Sequence, residues 1–170
     1  IGNFEFTANA AYLTKYEVSI DALSAQVIEA AQDTARYPNL DTGTPTGVGD
    51  RILQNGSPEW KTRTSINWKL NQWGAGINAN YVSDIVDTST TATVNDEVVM
   101  LPIDSFTRVN VYADYRFTDD GILDGTKIRF GIRNIGDKEP PVADELAHGY
   151  FGALHSNRGR YFYMNLRKNF

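Results

Sequence analysis

The sequence predicts an all-β protein: an antiparallel transmembrane β-barrel, of which this chain supplies about six strands. Apolar and polar residues alternate over segments of about ten residues or more, and long and short connections alternate between these segments. Aromatic residues recur eight positions apart on the apolar faces. A strand needs about ten residues to cross a bilayer, with one face toward lipid and aromatic residues at the interfaces. All three observations fit that geometry.

Composition allows this class and excludes several others. Mean hydropathy is -0.39, and there is no apolar run long enough for a membrane-spanning helix, which needs about 18 residues. An alternating barrel strand keeps mean hydropathy low because every second residue is polar. The net charge of -5, without a basic cluster, argues against nucleic-acid binding. The absence of cysteine excludes disulfides and thiolate metal sites.

The alternation places the strands and their connections. Six strands are predicted, at residues 2–16, 58–71, 73–86, 104–118, 126–134 and 157–170. The long connections are residues 18–57, 87–103 and 135–156, whereas the turns near 71–72 and 119–125 are short. Within the first connection, Asp21 is suited to cap a short helix over about 22–35, and the second is predicted to be a polar loop. Outer-membrane barrels have this asymmetry, with long extracellular loops and tight periplasmic turns.

Aromatic pairs eight residues apart predict where the strands meet the membrane interfaces. Eight residues at about 3.4 Å each, tilted by about 45°, rise roughly 19 Å, which fits an apolar band of about 25 Å flanked by aromatic girdles. Three of these pairs define the predicted girdle: Phe4 and Tyr12, Trp60 and Trp68, and Trp73 and Tyr81. A fourth pair, Phe162 and Phe170, lies on the last strand, whose lipid face is predicted to be Phe162, Met164, Leu166 and Phe170. Lys168 shares that face, but near an interface its amine can reach polar groups at little cost.

The strand number predicts that other residues complete the barrel. Six strands alone would leave two unpaired edges in lipid, where each unsatisfied backbone group costs several kcal/mol. Eight strands is the smallest number expected for a bacterial outer-membrane barrel. Residues 1–170 are therefore expected to form the C-terminal arc of a larger barrel. Because no signal peptide is present at Ile1, the sequence is expected to be a processed chain or a fragment.

Several motifs carry a family resemblance. Arg133 to Pro141 reads R-N-I-G-D-K-E-P-P and is similar to the N-L-F-D-K-x-P segment of TonB-dependent outer-membrane receptors, while G-R-Y-F-Y-M-N-L-R-K-N-F resembles their closing strand. A-N-A-A-Y-L-T-K-Y and S-P-E-W-K-T-R-T-S-I-N-W resemble two upstream segments, with Glu59 departing from the usual pattern. The motifs cover nearly the whole chain, in order and at the family's spacing.

This resemblance implies a barrel of about 22 strands, filled by an N-terminal plug domain that is not in this chain. It implies an outer-membrane receptor of a Gram-negative bacterium that imports a scarce nutrient, of siderophore, cobalamin or carbohydrate type, with energy from the TonB complex. The partners would be outer-membrane lipid, the remaining strands and plug, the TonB complex through the plug, and a small-molecule or oligosaccharide ligand. By resemblance to outer-membrane proteins generally, Phe170 and its strand would close the barrel and be recognised by the assembly machinery.

No residue set in the sequence suggests catalysis, a cofactor or a metal site. His148 and His155 lie in one loop near Asp144 and Glu145, but without metal-ligand spacing, and the expectation is ordinary exposed loop residues. Asp84 and Asp87 are likewise expected to be solvated carboxylates. Ligand contacts are predicted from the loops, at His148, Tyr150 and Phe151.

The lumenal wall and two alternative classes complete the predictions. Gly74 and Gly76 are predicted to make room for the plug, because glycine marks close backbone approach. A polar inward row is predicted to meet plug and water: Arg63, Lys127, Arg129, Arg133, Tyr161 and Arg167. Two other classes stay open at this point. One is a non-transporting outer-membrane barrel, such as an adhesin or porin, and the other is a soluble β-sandwich that binds carbohydrate.

Overall fold

The computed structural model describes residues 1–39, 48–118, 121–144 and 148–169. These residues form strands and one helix, in the following order: β1 (Asn3–Tyr12), β2 (Glu17–Val18), α1 (Ala22–Gln32), β3 (Gly49–Asp50), β4 (Trp60–Leu70), β5 (Trp73–Val82), β6 (Ile85–Val94), β7 (Glu97–Ile103), β8 (Phe106–Arg116), β9 (Thr126–Arg133) and β10 (Tyr161–Lys168). Within these ranges, no helix has the length and apolarity needed to span a bilayer.

Six of the strands form one antiparallel sheet in the order β1-β4-β5-β8-β9-β10. They are the six strands that the alternation predicts, and neighbours in the sheet follow one another in the chain apart from the small strands inserted in the long connections. Asn71 has a φ of 51° in the two-residue turn between β4 and β5, as the predicted tight turn requires. Among the described residues, β1 and β10 each keep one edge without a partner strand.

The apolar face of this sheet is uncovered. On β10, Phe162 is 74% exposed and Leu166 is 66% exposed, and Phe6 and Phe130 on other strands are comparably open. No second sheet packs across this face in the described ranges. A soluble β-sandwich buries its apolar faces between two sheets about 10 Å apart, so the sandwich alternative does not fit. The fold is an arc of an antiparallel barrel wall.

The first long connection contains the helix that the sequence predicts. Asp21 caps α1, accepting hydrogen bonds from the backbone amides of Leu23 and Ser24 at 3.1 and 3.0 Å. The helix ends at Gln32, three residues before the predicted end, and none of its residues is buried. β2 and β3 pair with each other at the base of this connection.

The second long connection is not the polar loop that the sequence predicts. It is a hairpin, β6 and β7, whose two-residue turn is Asn95-Asp96 with φ values of 51° and 65°. Positive φ at both positions is the geometry of the favoured hairpin turn, and Asn and Asp tolerate it. Threonine, the commonest residue here, was taken as a sign of a loop, although Thr and Val both favour strands.

A small protein core lies at the loop end of the wall. Ile85 and Ile103, which pair across the base of the hairpin, are 2% and 1% exposed and pack with Ala143 of the third connection. Phe151 and Leu154 pack against them. The first connection joins this group through Leu53, which exchanges backbone hydrogen bonds with the hairpin at Val86 and is followed by a bridge at Gln54. We call these parts of the three connections the loop assembly.

Candidate functional site

The polar face of the sheet is concave, and we call it the lumenal face. Asn3 and Glu5 of β1 line the same hollow as Lys127 and Arg129 of β9, although three strands separate β1 from β9 in the sheet. The hollow has a volume of about 760 Å³. It lies at the end of the wall that carries the tight turn, and Asn71 and Gln72 of that turn border it. The wall therefore curves around its polar side, as in a barrel with an aqueous or protein-filled lumen.

One row of paired residues crosses the middle of the lumenal face on all six strands: Glu5, Asn67, Gly76, Tyr112, Gly131 and Tyr163. The Tyr112 hydroxyl donates a 2.8 Å hydrogen bond to Asn67 Oδ1, and the Asn67 amide donates to Glu5 at 3.4 Å. Side chains of alternate strands thus reach across their neighbours. This row is an uncharged belt apart from Glu5.

The glycines of the wall accept side chains from neighbouring strands. A Cβ on Gly131 would lie 2.3 Å from the Tyr163 ring, one on Gly76 would lie 2.4 Å from the Tyr112 ring, and one on Gly74 would lie 2.6 Å from Asp114 Oδ1. The prediction that Gly74 and Gly76 leave room for a plug was therefore wrong. That space is filled from within the wall, because an aromatic ring or a carboxylate from the next strand covers each glycine.

Asp114 is the centre of a charged cluster next to this belt. Its carboxylate accepts from Arg129 Nη2 at 2.7 Å and Arg129 Nε at 3.0 Å, and Lys127 Nζ lies 2.9 Å away. The Asp114 side chain is 6% exposed, and the Arg129 guanidinium stacks 3.8 Å from the Tyr112 ring centroid. Charge-assisted bonds at this burial are stronger than surface pairs. They tie β8 to β9 through the lumenal face.

Positive charge is concentrated on the lumenal face. Of the 16 Lys and Arg residues in a chain of net charge -5, nine lie at lumenal positions of the six strands: Lys61, Arg63, Lys69, Arg108, Arg116, Lys127, Arg129, Arg133 and Arg167. The same face carries only two carboxylates, Glu5 and Asp114. The predicted inward row is part of this set. The structure adds Lys61, Lys69, Arg108 and Arg116, which share the same strand parity and were not singled out from the sequence.

Asp87 organises the loop assembly and is not the solvated carboxylate that was predicted. It is 1% exposed, and its oxygens accept from the Ser89 amide at 2.9 Å, the Ser89 hydroxyl at 2.5 Å and the Asp144 amide at 2.9 Å. Burial raises the pKa of Asp87, but these hydrogen bonds outweigh it and hold the pKa below its usual value. The carboxylate therefore fastens the third connection to the hairpin.

The residues predicted to contact ligand lie on or beside the loop assembly. His148 is exposed, and its ring lies 5.6 Å from that of Tyr150. Phe151 is half-buried against the small core, so part of its side chain holds the loop in place. Ligand contact by these three residues stays a prediction.

His155 differs from the exposed loop residue that was predicted. It is 6% exposed with its ring 5.2 Å from Phe106, and its Nδ1 has no hydrogen-bond partner. Within the described ranges no group of acidic, histidine or cysteine side chains is arranged to hold a metal, and Glu145 lies outside those ranges.

The N-I-G-D-K segment has a structural role that the sequence did not reveal. Asn134 is 1% exposed and bonds the backbone of Lys138 in both directions, at 3.0 and 2.9 Å, and the carbonyl of Arg158 at 3.3 Å. Asp137 accepts from the Arg160 amide at 2.5 Å and lies 3.6 Å from its guanidinium. Both Asn134 and Asp137 have a φ of 52°. The two most characteristic motifs of the sequence therefore contact each other and position the start of β10.

The lipid-facing residues lie in two groups near the ends of the strands. Phe4 pairs with Trp68, and Tyr12 pairs with Trp60 with ring centroids 4.5 Å apart. Trp73 stacks on Tyr115 at 4.7 Å. A role for these rings as a membrane girdle stays a prediction, as does barrel closure by Phe162, Met164 and Leu166. Phe170 lies outside the described residues.

Lys168 shares the apolar face of β10, and its amine is held by backbone groups. The amine bonds the carbonyls of Ile122 and Asp124 in the short turn, at 2.8 Å for the former. Reaching these carbonyls satisfies the charge at the membrane boundary. The lysine is therefore compatible with an otherwise apolar face.

Comparisons with known proteins agree with this architecture. The sequence model of the family described as "TonB dependent receptor-like, beta-barrel" matches residues 2–135. Among solved structures, the chain is similar to the crystal structure of the ferric citrate transporter FecA in its unliganded form, with 20% identity and a TM-score of 0.47. That similarity covers 64% of this chain and 16% of the FecA chain. No curated protein matches the chain. Because the family model covers most of its length, the chain belongs to the TonB-dependent receptor β-barrel family.

Proposed function

We propose that this chain is the C-terminal arc of an outer-membrane receptor that imports a scarce nutrient with energy from the TonB complex. The observation that carries the proposal is the family match over residues 2–135. The arc itself supports a membrane location, since its apolar face is open along the sheet and its polar side chains turn to the opposite, concave face. This is the inside-out pattern of a barrel in lipid.

The unpaired edges of β1 and β10 support a larger barrel. Each edge presents a row of backbone groups that lipid does not satisfy, and only closure of the sheet removes that cost. We therefore place residues 1–170 within a barrel of about 22 strands, the number that the family resemblance implies, with a plug domain in its lumen. β10 would pair with the first strand of that barrel.

The loop assembly is the surface that an external ligand would meet first. It lies at the end of the wall opposite the tight turn, and buried contacts fix its three connections to one another. Such a fixed set of loops can present His148 and Tyr150 in a constant arrangement. The ligand class within siderophore, cobalamin or carbohydrate is left to experiment.

A growth and uptake experiment in the native bacterium tests the function. The gene that encodes this chain is deleted, and growth is compared on limiting iron chelates, cobalamin or oligosaccharides, with and without an active TonB complex. We expect one nutrient class to require both the gene and TonB. Uptake that requires the gene but not TonB would indicate a diffusion pore and overturn the proposal.

A loop variant tests the ligand surface separately. Replacing His148 and Tyr150 together by alanine should weaken ligand binding at least about 10-fold, because recognition usually depends on a few ring-bearing side chains. The matched control is Asn95→Gly in the hairpin turn, which keeps the positive φ and leaves both rings in place. Unchanged binding in the double variant would exclude this pair from the ligand surface.

A further inference from the structure

The lower part of the lumenal face has more positive charge than its own carboxylates can balance. Five cations occupy the two register rows nearest the tight turn, and we call them the lower belt: Lys69, Arg116, Lys127, Arg129 and Arg167. The one carboxylate in these rows is Asp114. Its two oxygens already bond Lys127 and Arg129, so its capacity for ion pairing is used.

The other three cations of the belt have no carboxylate within ion-pair distance in the described residues. Lys69 and Arg116 are exposed and border the hollow of about 760 Å³, as do Lys127 and Arg129. This volume far exceeds that of a bound water or a simple ion, and it suits a segment of polypeptide. The hollow is also polar along its floor, with Asn3, Asn67 and Gln72 among its lining residues.

The position of the hollow indicates which occupant would cover it. The hollow borders the Asn71-Gln72 turn, at the end of the wall away from the loop assembly. A solute arriving at the loops would have to pass the upper lumenal rows and the middle belt of Tyr112 and Tyr163 before reaching it. A domain resident in the lumen would rest directly on it.

We propose that the lower belt is a docking surface for an acidic face of the domain that fills the barrel lumen. Carboxylates of that domain would pair with Lys69, Arg116 and Arg167, and its backbone would occupy the hollow. Such pairs would form away from bulk water, where opposite charges attract more strongly than on an open surface. This inference rests on the proposed function, since it requires a lumenal domain.

Charge reversal in the full-length receptor tests the docking. In purified receptor, Lys69→Glu with Arg116→Glu is compared with Lys15→Glu and Arg36→Glu, a control with the same charge change on exposed residues of the first connection. The readout is backbone hydrogen exchange of the lumenal domain. We expect exchange of its acidic face to rise at least about 10-fold in the first variant and to stay at the wild-type rate in the control.

Milder conditions guard against a folding defect. Lys69→Gln with Arg116→Gln should give a smaller increase in the same peptides, and raising NaCl from about 0.05 to about 0.5 M should reproduce part of it in the wild type. Exchange of β4 and β8 serves as the folding control and should not change. If the lumenal domain keeps its protection in both variants while the barrel stays folded, the docking proposal is wrong.

Two further outcomes separate the explanations. If citrate or phosphate protects the lower belt from exchange while the lumenal domain is indifferent to the variants, the belt is a small-anion site and the docking proposal fails. If the full-length protein contains no lumenal domain, or imports its ligand without TonB, the function proposed above fails on its own evidence. An altered exchange pattern together with normal TonB-dependent uptake would support both.

Discussion

The membrane wall and the loop assembly are stabilised in opposite ways, although one chain forms both. The wall has no apolar core of its own: its Phe, Met and Leu side chains point outward, and its polar side chains bond one another across strands. The loop assembly has a small conventional core around Ile85 and Ile103, with the Asp87 carboxylate buried beside it. Lipid must therefore do for the wall what protein atoms do for the loops.

This difference teaches that the same substitution has a different cost in each region. In the wall, the side of the strand decides the cost, because successive side chains face lipid and lumen. In the loop assembly, burial against protein atoms decides it. Four predictions test the contrast, in order of decreasing effect.

The largest effect is expected for a charge on the lipid face at the middle of β10. Met164→Arg should destabilise the assembled barrel by about 2–4 kcal/mol, because Met164 is 62% exposed in the isolated arc and would meet the hydrocarbon near its midplane. The control is Asn165→Arg, one residue along the same strand but on the lumenal face. The measurement is the folded fraction on heat-modifiable gel migration across a urea series in lipid. Equal losses in both variants would contradict the assigned faces.

A somewhat smaller effect is expected where a ring covers a glycine. Gly131→Ala places a methyl group 2.3 Å from the Tyr163 ring and should cost about 1–3 kcal/mol by overpacking. Gly136→Ala is the matched control, because nothing lies within 4 Å of a Cβ there. The same urea series measures both.

A double variant checks the mechanism of that loss. Adding Tyr163→Ala to Gly131→Ala should lose less stability than the sum of the single variants, since the clash disappears with the ring. Additive losses would show that Gly131 matters for some other reason.

Loss of the buried carboxylate should loosen the loops while the wall stays assembled. Asp87→Asn keeps the shape but replaces one acceptor with an amide donor facing the Ser89 and Asp144 amides, at a cost of about 1–2 kcal/mol to docking of the third connection. Hydrogen exchange of residues 148–155 should rise, whereas exchange of β4 and β5 should not. Asp84→Asn, at an exposed neighbour, is the control. A drop in barrel assembly with Asp87→Asn would contradict the separation of the two regions.

The smallest effect is a pH dependence of the same loop. Burial lowers the pKa of His155 below the usual value near 6.5, so the docked loop favours the neutral ring and the opened loop binds more protons. The contribution of His155 is therefore complete above its ordinary pKa and declines as the pH falls below it. Exchange of residues 148–155 should increase between about pH 7 and pH 5.5.

Two substitutions identify the titrating group. His155→Gln cannot gain a proton in this range and should remove the pH dependence, whereas His148→Gln, at the exposed histidine of the same loop, should leave it intact. If His148→Gln removes the dependence instead, the assignment to His155 is wrong.

The wall was predictable because its determinants are local. Alternation with a period of two fixes which residues share a face, and this identified the six strands, their tight turn at Asn71 and the outward position of Met164. The capping of α1 by Asp21 is local as well, since it joins residues two and three positions apart. The family resemblance likewise came from short motifs, and the family match confirms it.

Contacts between residues far apart in the chain could not be predicted in this way. Which carboxylate is buried depends on what lies above it: Asp84 and Asp87 look alike in sequence, but only Asp87 lies beneath the Asp144 amide, 57 residues away. Gly76 and Gly131 became readable only once the register set Tyr112 and Tyr163 over them. The sequence by itself determined strands, faces and family, because these follow from neighbours along the chain. Tertiary structure decided the loop core, the ring-covered glycines and the excess of lumenal charge, because each depends on strand register and on loops meeting in space.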